Sequence, residues 1–338
     1  MSRFSGRVER LLQRVAVGDD VAHSLRDTVG RDVHTGASLR DLFDGQEAIE
    51  LERFFSELES LPRLRPVLIS LAARAAGARR VDSELQHTAE LLHLALLVHD
   101  VALGRQGGRR RRVARRIVRR SVGVLGGNGL TLRALELARH TSSPEILGEL
   151  VETLREFSDG DRLTAALRSD RGLASSTEYL HHADSHTGAL LSFCCRAGAH
   201  LAGGDVMTLT AMGRYGRHVG RVWNVTDDMA QMVSDRAAWH LVQRVSSGRP
   251  VFPAAAAGQE DGEIKVLWKE LCDDPNEELA NKVVLRILST GALAHGRTVV
   301  AREAWAAQKA LAHVDSSEYR SALEGLAAGM AREALRVA

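Results

Sequence analysis

The chain has 338 residues, of which 44% are hydrophobic and 26% are charged, and these are the proportions of an ordinary globular protein. Its net charge of +2 excludes a global field that would attract nucleic acid, and its 3 cysteines, two of them adjacent, exclude a disulfide framework. The charged N-terminal segment and the absence of a long apolar stretch predict a cytoplasmic protein with no secretory leader and no transmembrane segment.

The composition predicts helices. Aromatic residues make up only 4% of the chain and there are 6 prolines, whereas Ala, Leu, Arg and Glu, which favour helices, are frequent. No segment shows the alternation that is typical of a strand. We therefore expect an all-α protein.

The first informative segment is residues 60–77, which predict a helix over 67–76 with Pro66 in its first turn. Arg63 and Arg65 lie at the N-terminal end of this helix, where free backbone N–H groups and the helix dipole favour anions. The two arginines either bind an anion together with the helix end or are simply solvated.

Residues 82–103 predict a long helix whose second half is apolar on nearly every side, which indicates burial. His93 and Asp100 are spaced to share nearly the same face. A lone buried histidine is more often a satisfied core residue than a ligand. Asp100, however, ends the helix where the dipole disfavours an acid, so its position indicates a cation or a function.

Residues 104–120 start with a glycine pair that breaks the helix, and eight arginines follow between positions 109 and 120. Such a segment can bind nucleic acid or an anionic membrane, line a diphosphate pocket, or form a solvated surface. No aromatic residue interleaves with the arginines, so base stacking has no support. The solvated surface is the simplest interpretation, and nucleic acid or an anionic membrane is not expected as a partner.

The middle of the chain predicts helices over residues 125–139 and 145–157, a polar break over 158–162, and a buried helix rich in small residues from Ala189 onward. His181, His182 and His186 precede that helix but lack partners at zinc spacing, so we do not expect a zinc site there.

Residues 206–233 predict a second long helix, which carries the adjacent acids Asp227 and Asp228 near its end. Arg249 follows in a turn with two prolines, and amphipathic segments over 265–271, 277–296 and 299–337 complete the chain. Two apolar helices with acids at one end can face each other across a bundle. There the acids can hold divalent cations, and the cations can hold a diphosphate.

Taken in order, these segments resemble the trans-isoprenyl diphosphate synthase (polyprenyl synthetase) family over roughly residues 45–338. LPRLRPVLISLAARAAG resembles the family's helix that follows GGKRLRP, and ELLHLALLVHDVALG resembles the helix that ends in its first aspartate-rich motif, DDxxD. GRHVGRVWNVTDDMAQ is similar to the helix that carries the second such motif. LGGNGLTLRALELA, SHTGALLSFCCRAGAHLAG and SSGRPVFPA are similar to the LAGDxLLxxAxELA, KTAxL and GKPTLP segments.

The resemblance implies an isoprenoid synthase fold, which is a large antiparallel helical bundle around a central cavity, over residues 45–338, preceded by an N-terminal helical extension over 1–44. The implied reaction is ionisation of an allylic diphosphate held through Mg²⁺, followed by attack of the carbocation on isopentenyl diphosphate. A homodimer, or a heterodimer with a synthase-like subunit, is also implied. The implied metal ligands are Asp100, Asp227 and Asp228, and the implied diphosphate-binding residues are Arg63, His93, Arg109, Arg110, His186, Thr187 and Arg249.

The motifs depart from the family at the acids. Residues 100–104 read DVALG, so only Asp100 remains of the first motif, and Gln231 stands where the second motif ends in an acid. His186 and Arg249 replace lysines. Mg²⁺ is usually held by one or two carboxylates plus phosphate oxygens, so its binding is expected to be weak or lost. Each lost preorganised group typically costs about 2.7–4 kcal/mol in the barrier, so ordinary chain elongation is not expected.

Three hypotheses remain. A catalytically degenerate homologue would keep the bundle and the dimer surface, and act as a partner or regulatory subunit or bind a prenyl diphosphate without turning it over. An active divergent prenyltransferase or terpene synthase would use Asp100, Asp227 and Asp228 to hold fewer metal ions. A surface role for residues 109–120 predicts binding that weakens steeply with salt. We favour the first.

Overall fold

A computed structural model describes residues 64–102, 120–141 and 143–337. Arg63, Arg109 and Arg110 lie outside these ranges, as do the extension predicted over residues 1–44 and nearly all of the basic segment. Of Asp100 the structure describes the backbone, which is helical.

Every regular element within these ranges is a helix, which confirms the predicted all-α class. The helices are α1 (Leu64–Ala75), α2 (Ser83–Ala102), α3 (Arg120–His140), α4 (Glu145–Asp170), α5 (Ser176–Ala183), a π-helical turn (Asp184–Gly188), α6 (Ala189–Leu201), α7 (Val206–Met232), α8 (Ala237–Ser247), α9 (Phe252–Glu260), α10 (Gly262–Asp273), α11 (Glu277–Leu288), α12 (Ala292–Ala310), a 3₁₀ turn (Leu311–His313) and α13 (Glu318–Ala334). None of these described helices has the length and apolar character that a bilayer crossing needs.

The two long helices predicted from periodicity, α2 and α7, are confirmed to within a residue at each end. Two predicted helix boundaries, the start at residue 125 and the end at residue 157, were wrong. Helix α3 already begins at Arg120 and runs through Gly127, because that glycine makes room for the His99 ring, which a Cβ would overlap. Helix α4 continues through the predicted break at 158–162. Within it, Gly160 lies against the imidazole of His186, where a Cβ would overlap the ring. In both places the glycine permits close packing and does not end a helix.

Helix α7 lies at the centre of the described bundle, between α6, α12 and α13. Its close approach to α6 and to the π-helical turn depends on glycine: a Cβ at Gly216 would overlap the Leu191 carbonyl of α6, and one at Gly220 would lie 2.7 Å from the Cα of Gly188 in the turn. The phenol of buried Tyr215 donates to the Leu323 carbonyl at 2.7 Å and joins α7 to α13. Each fully buried large apolar side chain of this core contributes about 1.5–3 kcal/mol.

A buried ion network fixes α7 against α12 and the π-helical turn. Glu303 of α12 is 4% exposed, and its Oε2 accepts from His218 Nδ1 at 2.8 Å and from Arg221 Nη1 at 3.0 Å. Arg221 also donates twice to Asp184, at 2.7 and 2.5 Å. Burial alone would raise the pKa of Glu303, but the hydrogen bonds from His218 and Arg221 lower it to about 2. The network therefore sets the position of the π-helical turn beside the end of α7.

Candidate functional site

The acids of the second motif lie in the last turns of α7, but Asp228 is engaged by the protein itself. Its side chain is 3% exposed. Oδ1 accepts from Arg244 Nη2 of α8 at 2.5 Å, and Oδ2 accepts from the backbone N–H of Phe252 at 3.0 Å. The carboxylate is thus neutralised by a guanidinium, and its two contacts join the end of α7 to the last turn of α8 and to the start of α9.

A third group completes the surroundings of Asp228. The pKa of the Tyr179 phenol is raised well above 10.0, first by burial and then by the negative charge of Asp228. Tyr179 therefore stays protonated beside this carboxylate. Each of the two Asp228 oxygens already accepts a hydrogen bond from the protein, and a metal ion would have to share them.

Asp227 is half-buried, and the side-chain amide of Gln231 donates to its Oδ2 at 2.6 Å. Gln231, which stands where the motif would have its last acid, therefore hydrogen-bonds to the first acid of the motif and adds no negative charge. Within the described ranges, no group of three or more His, Cys, Asp or Glu side chains is arranged to hold a metal ion.

The π-helical turn brings Thr187 to the same end of α7. Its hydroxyl donates to Asn224 Oδ1 at 3.1 Å, one turn before Asp227. His186 points the other way, towards α4, where its Nε2 lies 3.2 Å from Asp161 Oδ1. Its ring also contacts His182, with centroids 4.5 Å apart. Burial, followed by the charges of His186 and Arg249, lowers the pKa of His182 well below 6.5, so that ring is neutral.

A second polar group lies between α1 and α2. Arg65 donates to both oxygens of Glu90, at 2.8 and 3.0 Å, and this pair is largely buried. His93, one turn after Glu90, has a buried Nε2 without a hydrogen-bond partner. Burial, and then the charge of Arg65, lowers the pKa of His93 well below 6.5. A fixed guanidinium beside an unsatisfied imidazole is an unusual arrangement in a core and indicates a place for a polar ligand.

Arg249 contributes to the wall of a pocket of about 340 Å³ whose lining includes none of Asp227, Asp228 and Thr187, and its charge also acts on His182. The structure thus brings Thr187, Asp227 and Asp228 to the same end of α7, places His93 with Arg65, and places Arg249 near His182. The metal and diphosphate roles assigned to these residues from the motifs stay predictions.

Sequence reasoning missed Glu90 and Arg244. Arg65 was considered as an anion-binding or solvated arginine, but its pairing with Glu90, which lies at helical spacing from His93, was not predicted. Arg244 carried no signal, because it becomes a neighbour of Asp228 only when α8 folds back on the end of α7.

Most of this chain is similar to known proteins. The polyprenyl synthetase family profile matches residues 62–287. The octaprenyl diphosphate synthase of Haemophilus influenzae is 26% identical over 271 residues, which cover 78% of this chain and 82% of that protein. The all-trans-nonaprenyl-diphosphate synthase of Rhodobacter capsulatus is 26% identical over 270 residues, with 78% and 82% covered.

Solved structures agree. The polyprenyl synthase of Caulobacter crescentus, in complex with calcium and isoprenyl diphosphate, superposes with a TM-score of 0.73 at 27% identity and covers 98% of this chain and 99% of its own. A decaprenyl diphosphate synthase from Rhodobacter capsulatus superposes with a TM-score of 0.75 at 21% identity over 96% and 98% of the two chains, and this shows the shared isoprenoid synthase fold. The chain therefore belongs to the polyprenyl synthetase family.

Proposed function

We propose that this chain is a catalytically degenerate member of its family, which retains the bundle and acts as a partner or regulatory subunit without elongating a prenyl chain itself. The observation that carries the proposal is the state of Asp228. Its charge is already neutralised by Arg244, and both of its oxygens accept hydrogen bonds from the protein.

The chemistry of the donor set supports this proposal. The family reaction implied by the motifs needs hard oxygen ligands that fix divalent ions against a diphosphate. The described residues do not fit this group, because Asp228 is paired with a cation and Asp227 accepts from an amide. Separating Asp228 from Arg244 would leave a carboxylate that is 3% exposed without this ion pair, and breaking a buried pair typically costs about 3–5 kcal/mol. A magnesium ion would have to offset that cost before it gained anything.

The other half of the site supports retained binding without turnover. Arg65 is held in place by Glu90, and His93 is neutral with an unpartnered buried Nε2, so in its Nε2–H tautomer the imidazole can donate to a diphosphate oxygen beside the guanidinium without any metal. We propose a prenyl or isopentenyl diphosphate as this ligand. Dimerisation, either with a second copy or with an active synthase-like subunit, belongs to the same proposal, and sedimentation of the chain alone and mixed with such a subunit measures it.

Calorimetric titration with farnesyl diphosphate, with and without Mg²⁺, tests the proposal, and product analysis after addition of isopentenyl diphosphate completes it. We expect binding that does not require Mg²⁺, is weakened in His93→Gln, and yields no longer product. Arg155→Gln, an exposed arginine of α4, is the matched control and should bind as the wild type does. Mg²⁺-dependent binding with elongation by the purified chain would overturn it.

One observation favours the alternative, an active divergent prenyltransferase or terpene synthase. Asp227 remains half-exposed beside the Thr187–Asn224 contact, so the end of α7 keeps one acid and one hydroxyl close together. This alternative requires diphosphate release from a prenyl diphosphate that is abolished by Asp227→Ala. Release that persists in that variant, or no release in the wild type, counts against it.

A further inference from the structure

The imidazole of His186 fits into a slot on α4 that the proposed function does not use. His186 belongs to the π-helical turn, and its ring faces Phe157, Gly160 and Asp161, which share one face of α4. The rings of Phe157 and His186 are stacked, with centroids 6.1 Å apart and planes inclined by 21°. A Cβ at Gly160 would lie 2.4 Å from His186 Cε1, so only glycine lets the ring come this close to the backbone of α4.

Both ring nitrogens of His186 face hydrogen-bond acceptors. Nδ1 lies 3.2 Å from the His182 carbonyl oxygen, and Nε2 lies 3.2 Å from Asp161 Oδ1. Because a carbonyl and a carboxylate only accept, each nitrogen must carry a hydrogen for both contacts to be hydrogen bonds. A neutral imidazole has one N–H and makes only one of them. The geometry therefore fits the imidazolium form of His186.

The neighbouring histidine does not share this charge. The rings of His182 and His186 are in edge contact, with centroids 4.5 Å apart, and His182 Nδ1 is buried without a hydrogen-bond partner. Burial, followed by the charges of His186 and Arg249, lowers the pKa of His182 well below 6.5. The side chains of His186 and Asp161 are 21% and 40% exposed, so solvent can exchange a proton with this pair. A proton taken up here therefore goes to His186.

Charged and titratable groups reach the π-helical turn from the helices packed around it, whereas the first turn of α6 is uncharged. Arg221 donates twice to Asp184 and stays charged. His218 shares Glu303 with Arg221, and His181 is exposed. The set comprises Glu156, Asp159, Asp161 and Arg162 of α4, His181 and His182 of α5, Arg217, His218 and Arg221 of α7, Glu303 of α12, and Arg244 and Arg249, whose charges act on His182. Because several histidines are present, each has to be observed separately.

We propose that His186 is a protonation-dependent clamp between the π-helical turn and α4. As an imidazolium it donates to Asp161 and to the carbonyl of His182, and it holds the turn in the slot. Histidine changes its charge between about pH 5 and 8, so the clamp is closed at the lower end of this interval and opens as the pH rises. The open turn keeps its contacts on the α7 side, where Arg221 holds Asp184 at every pH of this interval.

Thr187 couples the clamp to the end of α7. It directly follows His186 in the π-helical turn, and its hydroxyl donates to Asn224 Oδ1 at 3.1 Å. A turn that is released from α4 lets this hydroxyl leave Asn224 more often, so the end of α7 is better ordered at the lower pH. None of these contacts requires a bound prenyl diphosphate, so the clamp and the proposed function fail separately.

Two measurements on the full chain test the clamp at about pH 6 and at about pH 8. Two-bond ¹H–¹⁵N spectra of the histidine rings report the protonation of each nitrogen, with the signals assigned from His186→Gln. Hydrogen exchange of the backbone amides over residues 184–189, corrected for the intrinsic rate at each pH, reports how firmly the turn is held. Asp161→Asn removes the carboxylate at nearly constant size, and circular dichroism confirms that each variant is folded.

His140→Gln is the matched control. Nδ1 of His140 lies 2.8 Å from the carbonyl oxygen of Glu136, four residues earlier, as Nδ1 of His186 does with His182. His140 is exposed, however, and within the described ranges it makes no hydrogen bond to a carboxylate. Its replacement should therefore leave the pH dependence of the π-helical turn as it is.

We expect both nitrogens of His186 to carry a hydrogen at about pH 6 and only one at about pH 8, while His182 carries one at both. Exchange over residues 184–189 should be about three- to fivefold faster at the higher pH in the wild type and in His140→Gln, as for the loss of one partly exposed hydrogen bond. Asp161→Asn and His186→Gln should lose this pH dependence. A single N–H on His186 at both pH values, equal exchange at both in the wild type, or an unchanged pH dependence in Asp161→Asn would overturn the proposal.

Discussion

Replacement of Arg244 by alanine tests whether its ion pair with Asp228 is what makes this carboxylate unavailable to a metal ion. In the folded chain the guanidinium lies 2.5 Å from Asp228, and the two side chains are 24% and 3% exposed. Removing one partner of a buried pair usually costs about 3–5 kcal/mol, because the remaining charge stays buried. Asp228 keeps the hydrogen bond from the Phe252 N–H, so we expect the lower end, about 3 kcal/mol.

Thermal unfolding at pH 7 measures this cost. With an unfolding entropy of about 2.1 cal/mol/K per residue, a loss of about 3 kcal/mol lowers the Tm of a chain of 338 residues by roughly 4 °C. The control is Arg155→Ala, whose ion pair with Glu152 is 67% and 55% exposed and is worth about 0–1 kcal/mol. Adding Asp228→Asn to Arg244→Ala removes the uncompensated charge and should recover much of the loss.

The same variant also tests whether Arg244 prevents Mg²⁺ from binding at Asp228. Without Arg244, Asp228 carries a full negative charge beside Asp227, so Mg²⁺ should raise the Tm of Arg244→Ala more than that of the wild type. The reasoning is refuted if Arg244→Ala and Arg155→Ala lose the same stability, or if Asp228→Asn brings no recovery in the Arg244→Ala background.

Two further predictions concern the frame that holds α7. Glu303 has its pKa lowered from 4.5 to about 2, so its contribution of roughly 3 kcal/mol to stability is present above pH 4.5 and lost as the pH falls towards 2. Measured by urea unfolding, the free energy of unfolding of Glu303→Gln should therefore depend less on pH over that interval than that of the wild type. The same pH dependence in both proteins would contradict this. Gly216→Ala should destabilise by about 1–3 kcal/mol because its Cβ overlaps the Leu191 carbonyl, whereas Gly148→Ala, with open space around it, should be neutral or stabilising in the same assay. Equal effects of the two alanines would show that the contact between α6 and α7 is not as close as described.

The long helices could be predicted because their periodicity is local. Helices α2 and α7 each bury a face that repeats every three to four residues, so their bounds follow from the sequence. The errors arose at Gly127 and Gly160, where a glycine adjoins a histidine from a distant part of the chain. Sequence alone does not distinguish a glycine that ends a helix from one that accommodates a neighbour, since the neighbour is known only from the fold.

The candidate site was predictable to the extent that it lies in contiguous motifs. Asp227, Asp228 and Thr187 were identified from their segments, and the structure places them at the same end of α7. What the segments could not reveal is the state of each group. Arg244 neutralises Asp228 across a turn, and His93 is left with an unsatisfied nitrogen beside Arg65, and both depend on packing between helices.

The contact between Arg244 and Asp228 also predicts what is needed to restore turnover. Replacing Val101, Gly104 and Gln231 by aspartate rebuilds the acids that the motifs lack, but a cation on Asp228 would share that carboxylate with the guanidinium. Charges of +2 and +1 about 5 Å apart repel each other by roughly 7 kcal/mol at an effective dielectric constant of 20, which is comparable to the loss of two preorganised catalytic groups. We therefore expect the triple variant to release no diphosphate from farnesyl diphosphate, and Mg²⁺-dependent release to be detectable only when Arg244→Ala is added. Release by the triple variant with Arg244 intact would show that the lost acids alone, and not the occupied Asp228, keep the site inactive.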